Sequence, residues 1–338
     1  MSSATQGQGP SPLVIFDALN AYQRTAALRT GIDLNLFTAI GEGNSSVAAI
    51  ASRVGASEKG TRVLCDFLAV VGLLKKDNGA YSLTPDSAMF LDRRSPACIA
   101  DAAQFLGSIR PMFDSLTEAV RKGGTTLEGQ GSVEDNNPLW IEFAHSMAPL
   151  MALPAEMIAQ QLEASKAGAW KVLDIAAGHG LFGIALARHN SQANIVAVDW
   201  EAVLDVAREN ARKAGVDGRF SAKPGSAFDV DFGTGYDIVL LTNFLHHFDP
   251  STCEGLLRKI HASLADGGRV VTLEFVPNDD RISPPSDAMF SMMMLGTTPS
   301  GDAYTFAEFD GMFRNAGFSR SELRELKPLP QRIVVSYK

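Results

Sequence analysis

Asp174-Ile175-Ala176-Ala177-Gly178-His179-Gly180-Leu181-Phe182-Gly183 is the stretch on which the reading of the fold turns. It holds a Gly-x-Gly-x-x-Gly motif between the apolar run Val172–Ile175 and a helical pattern from Leu181 to Arg188. Strand, small-residue loop and helix in that order let a ligand approach the backbone closely at a helix N-terminus. Ile195–Val198 is a second apolar run and Ala202–Ala214 a second helix. Asp237–Leu241 and Arg269–Phe275 read as further strands, and Arg332–Tyr337, after Pro328 and Pro330, as a closing one. Strands alternating with helices of about 10–15 residues predict βαβ units and a mostly parallel sheet.

Two cofactors use such a loop, and the flanking acids separate them. A dinucleotide brings a pyrophosphate, which Asp174, four residues before the first glycine, would repel. S-adenosylmethionine has no phosphate, and its ammonium and sulfonium groups both gain from a nearby carboxylate. Asp199 ends the second strand, 25 residues after Asp174, where an acid can accept from both ribose hydroxyls of either cofactor. Gly225-Ser226-Ala227-Phe228, after the basic patch Arg219–Lys223, would set small residues and an aromatic against an adenine; a plain loop is the competing reading. The set favours the methyl donor.

Toward the N-terminus the pattern changes. Leu13 to about Ala103 reads as helical, with an amphipathic start broken at Gly31. Two helices meet at the turn Gly55-Ala56-Ser57, and Asp77-Asn78-Gly79 between short β-prone runs signals a hairpin. Helix, turn, helix and wing outline a winged helix. Its second helix sets Lys59 and Arg62 against Glu58 and Asp66, a balance that disfavours DNA and favours a dimer interface. From Met112 to Gln161 the chain is again helical, around a loop from Gly123 to Pro138. Trp140, Phe143, Met147 and Leu150 share one helical face, and core packing is the plain reading of that stripe.

The 338-residue chain is 46% hydrophobic and 20% charged, with a net charge of −8, which suits a globular enzyme and disfavours nucleic acid as a partner. Met1–Pro12 reads as a disordered polar tail and not a signal peptide, and nothing approaches the roughly 18 apolar residues of a membrane span. Cys65, Cys98 and Cys253 are scattered and odd in number, which fits free thiols in a reducing, cytoplasmic location.

These features together resemble the small-molecule O-methyltransferases of the plant caffeate and bacterial antibiotic type. The strongest anchors are Leu173–Gly180, Val198-Asp199-Trp200, Asn243-Phe244-Leu245-His246-His247-Phe248-Asp249 and Gly267–Glu274, and the likeness spans about Leu13 to Tyr337. The resemblance implies an α/β fold: a class I, Rossmann-like methyltransferase domain with a mostly parallel seven-stranded sheet, preceded by a mainly α winged-helix dimerisation domain. The expected divisions are a tail at 1–12, the dimerisation domain at 13–105, linking helices at 106–165 and the catalytic domain at 166–338. The implied donor site comprises Asp174, Ala176, Gly178, Gly180, Asp199, Trp200, Ser226, Ala227, Phe228, Asn243 and Met147, with S-adenosylhomocysteine as the product. Phe143, Met147, His247 and Met294 are the implied acceptor pocket. A homodimer and a small aromatic or polyene-like acceptor, methylated at a hydroxyl oxygen, are implied, without nucleic acid or membrane as partners.

His246 falls where this family keeps the histidine that takes the acceptor's proton, and Glu274 on an acid that orients it. A phenol with a pKa near 10 is mostly protonated at neutral pH, and a neutral histidine is suited to removing that proton. Glu274→Gln is then expected to cost less than removing His246. The departures from the family are specific. His247 and Phe248 follow the histidine where an acid and a tryptophan are usual, and Ala303, beside Asp302, stands where a second acid is expected. Ser226 replaces the adenine-side acid, and two loop glycines are Ala176 and Ala177. Methylation at carbon or nitrogen without a base stays open, as do a nucleotide-binding oxidoreductase and a non-catalytic regulator. Adjacent histidines on a strand would face opposite ways, and no His-x-x-x-His spacing exists, so no metal is expected.

Overall fold

The computed structural model describes residues 10–338, so most of the expected tail lies outside the described residues. The chain divides into two compact units, the first ending at Ser108 and the second running from Ile109 to Lys338.

The first unit holds α1 (Leu13–Asp33), α2 (Leu36–Gly41), α3 (Val47–Val54), α4 (Glu58–Val70), the strands β1 (Leu74–Asp77) and β2 (Ala80–Leu83), α5 (Pro85–Phe90) and α6 (Ala100–Ser108). Ser46 and Ser57 cap α3 and α4 by accepting from the Ala49 and Gly60 N–H groups at 3.2 and 3.1 Å. Asn78 and Gly79, both at positive φ, turn the β1–β2 hairpin. The wing is pinned to α4 by Asp66, which accepts from Tyr81 Oη at 2.6 Å and from Lys76 Nζ at 2.5 Å. Gly31 does not break α1 as its sequence suggested. It lies buried inside the helix, where a Cβ would come within 2.9 Å of the Phe37 ring. Close packing, not chain reversal, is its role. The expected boundary at 105 falls inside α6.

The second unit begins with α7 (Leu116–Lys122) and α8 (Leu139–Gln161). There follow β3 (Lys171–Ile175), α9 (Leu181–His189), β4 (Asn194–Asp199), α10 (Glu201–Lys213), β5 (Phe220–Pro224), β6 (Tyr236–Thr242), α11 (Pro250–Ser263) and β7 (Leu264–Glu274). It ends with α12 (Pro285–Thr297), α13 (Phe306–Asn315), β8 (Arg320–Glu325) and β9 (Arg332–Tyr337). The seven strands run in the order β5-β4-β3-β6-β7-β9-β8, parallel except for β9, which is antiparallel to both neighbours. Alternate residues of the central strands feed opposite faces. Leu173, Val239 and Leu241 pack in the layer with α11 and α13, while Val172, Ile238 and Leu240 pack in the layer with α8 and α9. Each such side chain contributes roughly 1.5–3 kcal/mol of burial, so the sheet is a rigid platform. The chain winds outward from β3 to β5 and then returns to β6 on the other side. That reversal opens a crevice at the carboxyl ends of β3 and β6, where ligands bind in open α/β sheets.

Two strands differ from their sequence reading. The supposed basic patch at 219–223 is mostly β5, and Arg219 donates to the carbonyls of Ala187, Asn190 and Ala193 at 2.8–3.0 Å around the end of α9. β8 alternates Arg320, Glu322 and Arg324, a charged pattern suited to a sheet edge. Among the described residues, no helix is long and apolar enough to cross a membrane.

Candidate active site

The crevice is built from the loops after successive strands. After β3, Ala176, Gly178 and Gly180 all take positive φ, of 52°, 55° and 73°. Alanine is strained there by about 1–2 kcal/mol, whereas the glycines are not. Gly183, in the first turn of α9, packs against Asp174: a Cβ would sit 2.9 Å from Oδ2. Asp174 is fully buried; its Oδ2 accepts from the Gly183 N–H at 3.1 Å, while Oδ1 has no partner. Burial pushes its carboxyl up to about 8, opposed by the Gly183 bond. Asp199, at the end of β4, accepts from the N–H of Gly178 at 2.8 Å and of Trp200 at 2.7 Å, and burial pushes it up to about 6. Two desolvated carboxyls, one with an orphaned oxygen, are a site that a cation would relieve. His179 belongs to the scaffold. Burial lowers it to about 4, and its Nδ1 accepts from the Leu181 N–H at 3.2 Å at the start of α9.

On the next loop, Gly225 donates its N–H to the Asp199 carbonyl at 2.9 Å, and Ser226 Oγ accepts from the Phe228 N–H at 3.2 Å. Ala227 is buried and Phe228 partly exposed, with its ring edge-on to Phe248 at 5.0 Å. Trp200 packs with Trp140, Ile141, Ala144 and Val203, a small cluster between α8 and α10.

β6 ends at Thr242, and Asn243 turns the chain at a φ of 53°. Its N–H donates to the Leu273 carbonyl, and its Oδ1 accepts from buried Gln331 at 2.9 Å. His246 and His247 then lie in a one-turn 3-10 helix, Leu245–His247, not on a strand. The expectation that they face opposite ways is therefore corrected: their ring centroids are 4.2 Å apart. Glu274 is the reason the turn forms. From the end of β7, its buried Oε1 accepts from the N–H groups of both Phe244 and Leu245 at 3.0 Å, while Oε2 meets His246 Nδ1. Cys253 supports the turn from below through the Leu245 carbonyl at 3.3 Å.

With a carboxylate against Nδ1, His246 carries its proton there and leaves Nε2 bare. Its ring meets the edge of Phe290 at 4.8 Å, and Phe290 stacks on Phe275 at 4.2 Å. His247 donates from Nδ1 to the Phe244 carbonyl at 3.1 Å. Burial, then the neighbouring His246, holds it well below the ordinary histidine range, so it is neutral. Trp140 meets His247 edge-on at 5.3 Å and Phe143 at 5.4 Å. Met147 on α8 and Met294 on α12 are both buried. Asp302 is engaged by Arg281 at 3.3 Å and by the Ala303 N–H at 2.8 Å, and Ala303 is fully buried.

The sequence reading missed Phe290, Phe275 and Gln331. A lone glutamine ahead of a strand carries no signal, and neither does a phenylalanine at a strand end or inside a Met-rich helix. The roof over the turn comes from two loops tied together. Thr125 donates its N–H to the Thr298 carbonyl and its hydroxyl to the Gly296 carbonyl, both at 2.8 Å. Gly301 lies so close to the turn that a Cβ would collide with the His246 carbonyl. Among the described residues, no group of three or more His, Cys, Asp or Glu side chains could hold a metal ion.

A sheet with this strand order, a glycine loop over buried acids and a carboxylate-anchored histidine at the switch point define a methyltransferase of the class I type. The chain belongs to the O-methyltransferase family, whose members draw the methyl group from S-adenosylmethionine. The O-methyltransferase domain matches residues 113–319 and the O-methyltransferase dimerisation domain residues 16–93. The chain is similar to the 3-hydroxy-5-methyl-1-naphthoate 3-O-methyltransferase of Streptomyces sahachiroi, at 28% identity over 94% of this chain and 92% of that one. It is also similar to the tetracenomycin polyketide synthesis 8-O-methyl transferase of Streptomyces glaucescens, at 25% identity over 94% of each. A solved candidate O-methyltransferase from Nostoc punctiforme PCC 73102 is 52% identical, with a TM-score of 0.95 over 98% of this chain and all of that one.

Proposed function

We propose that the protein methylates a hydroxyl oxygen of a small aromatic acceptor, with His246 as general base and Glu274 as the residue that fixes its tautomer. The observation that carries this reading is the three-way use of Glu274, which holds the turn through two backbone N–H groups and His246 through Nδ1. The oxygen-methylating naphthoate and polyketide relatives support an aromatic acceptor of natural-product type.

When bound, S-adenosylmethionine supplies a methyl carbon on a positively charged sulfur, open to in-line attack by oxygen. The residues present fit such a ligand. Asp174 offers an unpaired buried oxygen toward positive charge, and Asp199 keeps lone pairs beyond its two backbone bonds for ribose hydroxyls. Ser226, Ala227 and Phe228 are assigned to the adenine side, with Trp200, Asn243, Met147, Ala176, Gly178 and Gly180 completing the site. Phe143, Met147, His247 and Met294 are assigned to the acceptor pocket. Facing such a ligand, His246 Nε2 would take the acceptor's hydroxyl proton, and Glu274 would stabilise the resulting imidazolium.

We further assign homodimerisation to residues 13–110, which are almost wholly the first unit. Leu13, Val14, Ile15, Phe16, Leu19 and Tyr22 of α1 are each more than half exposed, an apolar row that a second copy would cover.

His246→Ala tests the base. Turnover on a high-pKa phenol should fall by about 10²–10⁴-fold with donor affinity intact, and the loss should shrink for acidic phenols. Near-full activity on the high-pKa acceptor would remove the base and favour methylation at carbon or nitrogen.

A further inference from the structure

We propose that Lys259 is a positioning residue for the donor's adenine: from α11 its ammonium clamps the loop at 225–232 in the shape that receives the base. This rests on the assignment of Ser226, Ala227 and Phe228 to the adenine side.

Between β5 and β6 the chain forms neither helix nor strand, so the loop owes its shape to individual bonds. Its near end is anchored by the Gly225 N–H, which donates to the Asp199 carbonyl at 2.9 Å. Ser226 then closes a turn on itself, its carbonyl accepting from the Asp229 and Val230 N–H groups at 3.1 and 2.9 Å. The far end is held by Tyr236 Oη, which donates to the Phe232 carbonyl at 2.8 Å, and by Lys223, which donates to the Asp231 carbonyl. Between these anchors, Lys259 Nζ donates to two consecutive carbonyls, Ala227 at 3.0 Å and Phe228 at 2.8 Å, and lies 4.3 Å over the Phe232 ring. An ammonium has three donors and no acceptor, so two carbonyls and an aromatic face suit it well. Burial lowers Lys259 from the ordinary lysine range, against the pull of Asp229 and Asp231. Its carbonyl bonds are thus made in a partly desolvated setting, where they are stronger than in water.

The helix that carries Lys259 also supports the histidine turn. Cys253, earlier on α11, donates to the Leu245 carbonyl at 3.3 Å, and Asp249, which caps α11, directly follows Phe248. The Phe228 ring in turn meets Phe248 edge-on at 5.0 Å. One helix therefore sets both the loop assigned to the base and the turn that carries His246. Holding both on one rigid element keeps the donor in register with the residue that serves its reaction.

The test is calorimetry on the full chain with two probes: S-adenosylhomocysteine and S-inosylhomocysteine, in which an oxygen replaces the amino group of the base. The native protein should prefer the adenine form by about tenfold. Lys259→Met keeps the stem and removes the donors. It should bind S-adenosylhomocysteine about tenfold more weakly and bring the two probes within about threefold of each other. Lys259→Arg, which keeps a charged donor, should recover most of both effects, and Lys259→Gln provides the same comparison if Lys259→Met does not fold. Binding by Lys259→Met within about twofold of native overturns the proposal. So does an equal loss for both probes, the mark of a merely structural role, and so does a native protein indifferent to the base. Phe228→Ala separates the two readings. If it leaves affinity and base preference intact, the adenine assignment falls and the clamp with it; if it weakens binding while Lys259→Met does not, the clamp alone falls.

Discussion

Glu274→Gln separates a residue that merely orients His246 from one that dictates where its proton sits. In the native turn Glu274 Oε1 accepts two backbone N–H groups at 3.0 Å, and Oε2 takes the third bond from His246 Nδ1. Glutamine has one acceptor oxygen and one amide nitrogen. If the nitrogen faced the backbone, two buried N–H donors would lose their partner, at about 1–3 kcal/mol each. The oxygen therefore stays on the backbone and the NH₂ group meets His246 Nδ1. Keeping a proton on Nδ1 would then set donor against donor, so the imidazole shifts its proton to Nε2, where no lone pair remains to act as a base. The variant should fold, bind S-adenosylmethionine with unchanged affinity by calorimetry, and lose about 10²–10⁴-fold in turnover on a high-pKa phenol, as much as His246→Ala. Sequence reasoning alone expects a smaller loss, because it cannot see the two backbone bonds that fix the amide's orientation. The assay is radiolabelled methyl transfer under saturating donor, run beside an acidic phenol that ionises unaided. If Glu274→Gln stays within about threefold of the native enzyme on the high-pKa phenol, the tautomer argument and the base assignment both fail.

Donor affinity should depend on pH through Asp199. Its carboxyl is raised to about 6, so it is ionised above that value and protonates as the pH falls through it, losing acceptor strength for ribose hydroxyls. Calorimetry from pH 5 to 7.5 should therefore show weakening at the acid end, and a flat profile would place the ribose elsewhere. The same raised value has the opposite sign for the unliganded fold: the native state holds the proton more tightly than the unfolded chain, so this group's contribution to stability declines as the pH rises from about 4 to 6. For assembly, light scattering at micromolar concentration should give the mass of two chains, and Phe16→Asp with Leu19→Asp on the exposed row of α1 should give one. A single-chain mass for the native protein would refute the assigned interface.

The sheet was legible where strands are buried on both faces. Val172–Ile175 and Ile195–Val198 are continuous apolar runs, and tertiary packing agrees with their composition. β5 and β8 were hidden because edge strands carry charge: Arg219 precedes one and Lys223 lies within it, and Arg320, Glu322 and Arg324 alternate along the other. At the site, Asp174, Asp199, His246 and Glu274 could be picked out because each ends or follows a recognisable strand. The geometry of the two histidines could not. A three-residue 3-10 turn has no periodic signal, and what makes it here is a carboxylate from a strand 28 residues further on. Gly31 failed for a related reason, since only the distant Phe37 ring explains a glycine inside a helix.

The hydrogen bonds between Thr125 and the end of α12, and the contact of Gly301 with the His246 carbonyl, bear on how acceptor range can change in this protein. The segment from 123 to 138 is rich in glycine, asparagine and proline, the kind of stretch that tolerates insertion and drift. Here it is tethered to the roof of the histidine turn, so lengthening it to admit a bulkier acceptor also shifts the backbone that carries His246. Libraries that vary this loop alone should yield many variants that bind new acceptors and few that turn them over. Pairing each loop change with compensating variation at Thr298–Gly301 restores the freedom that the tether removes.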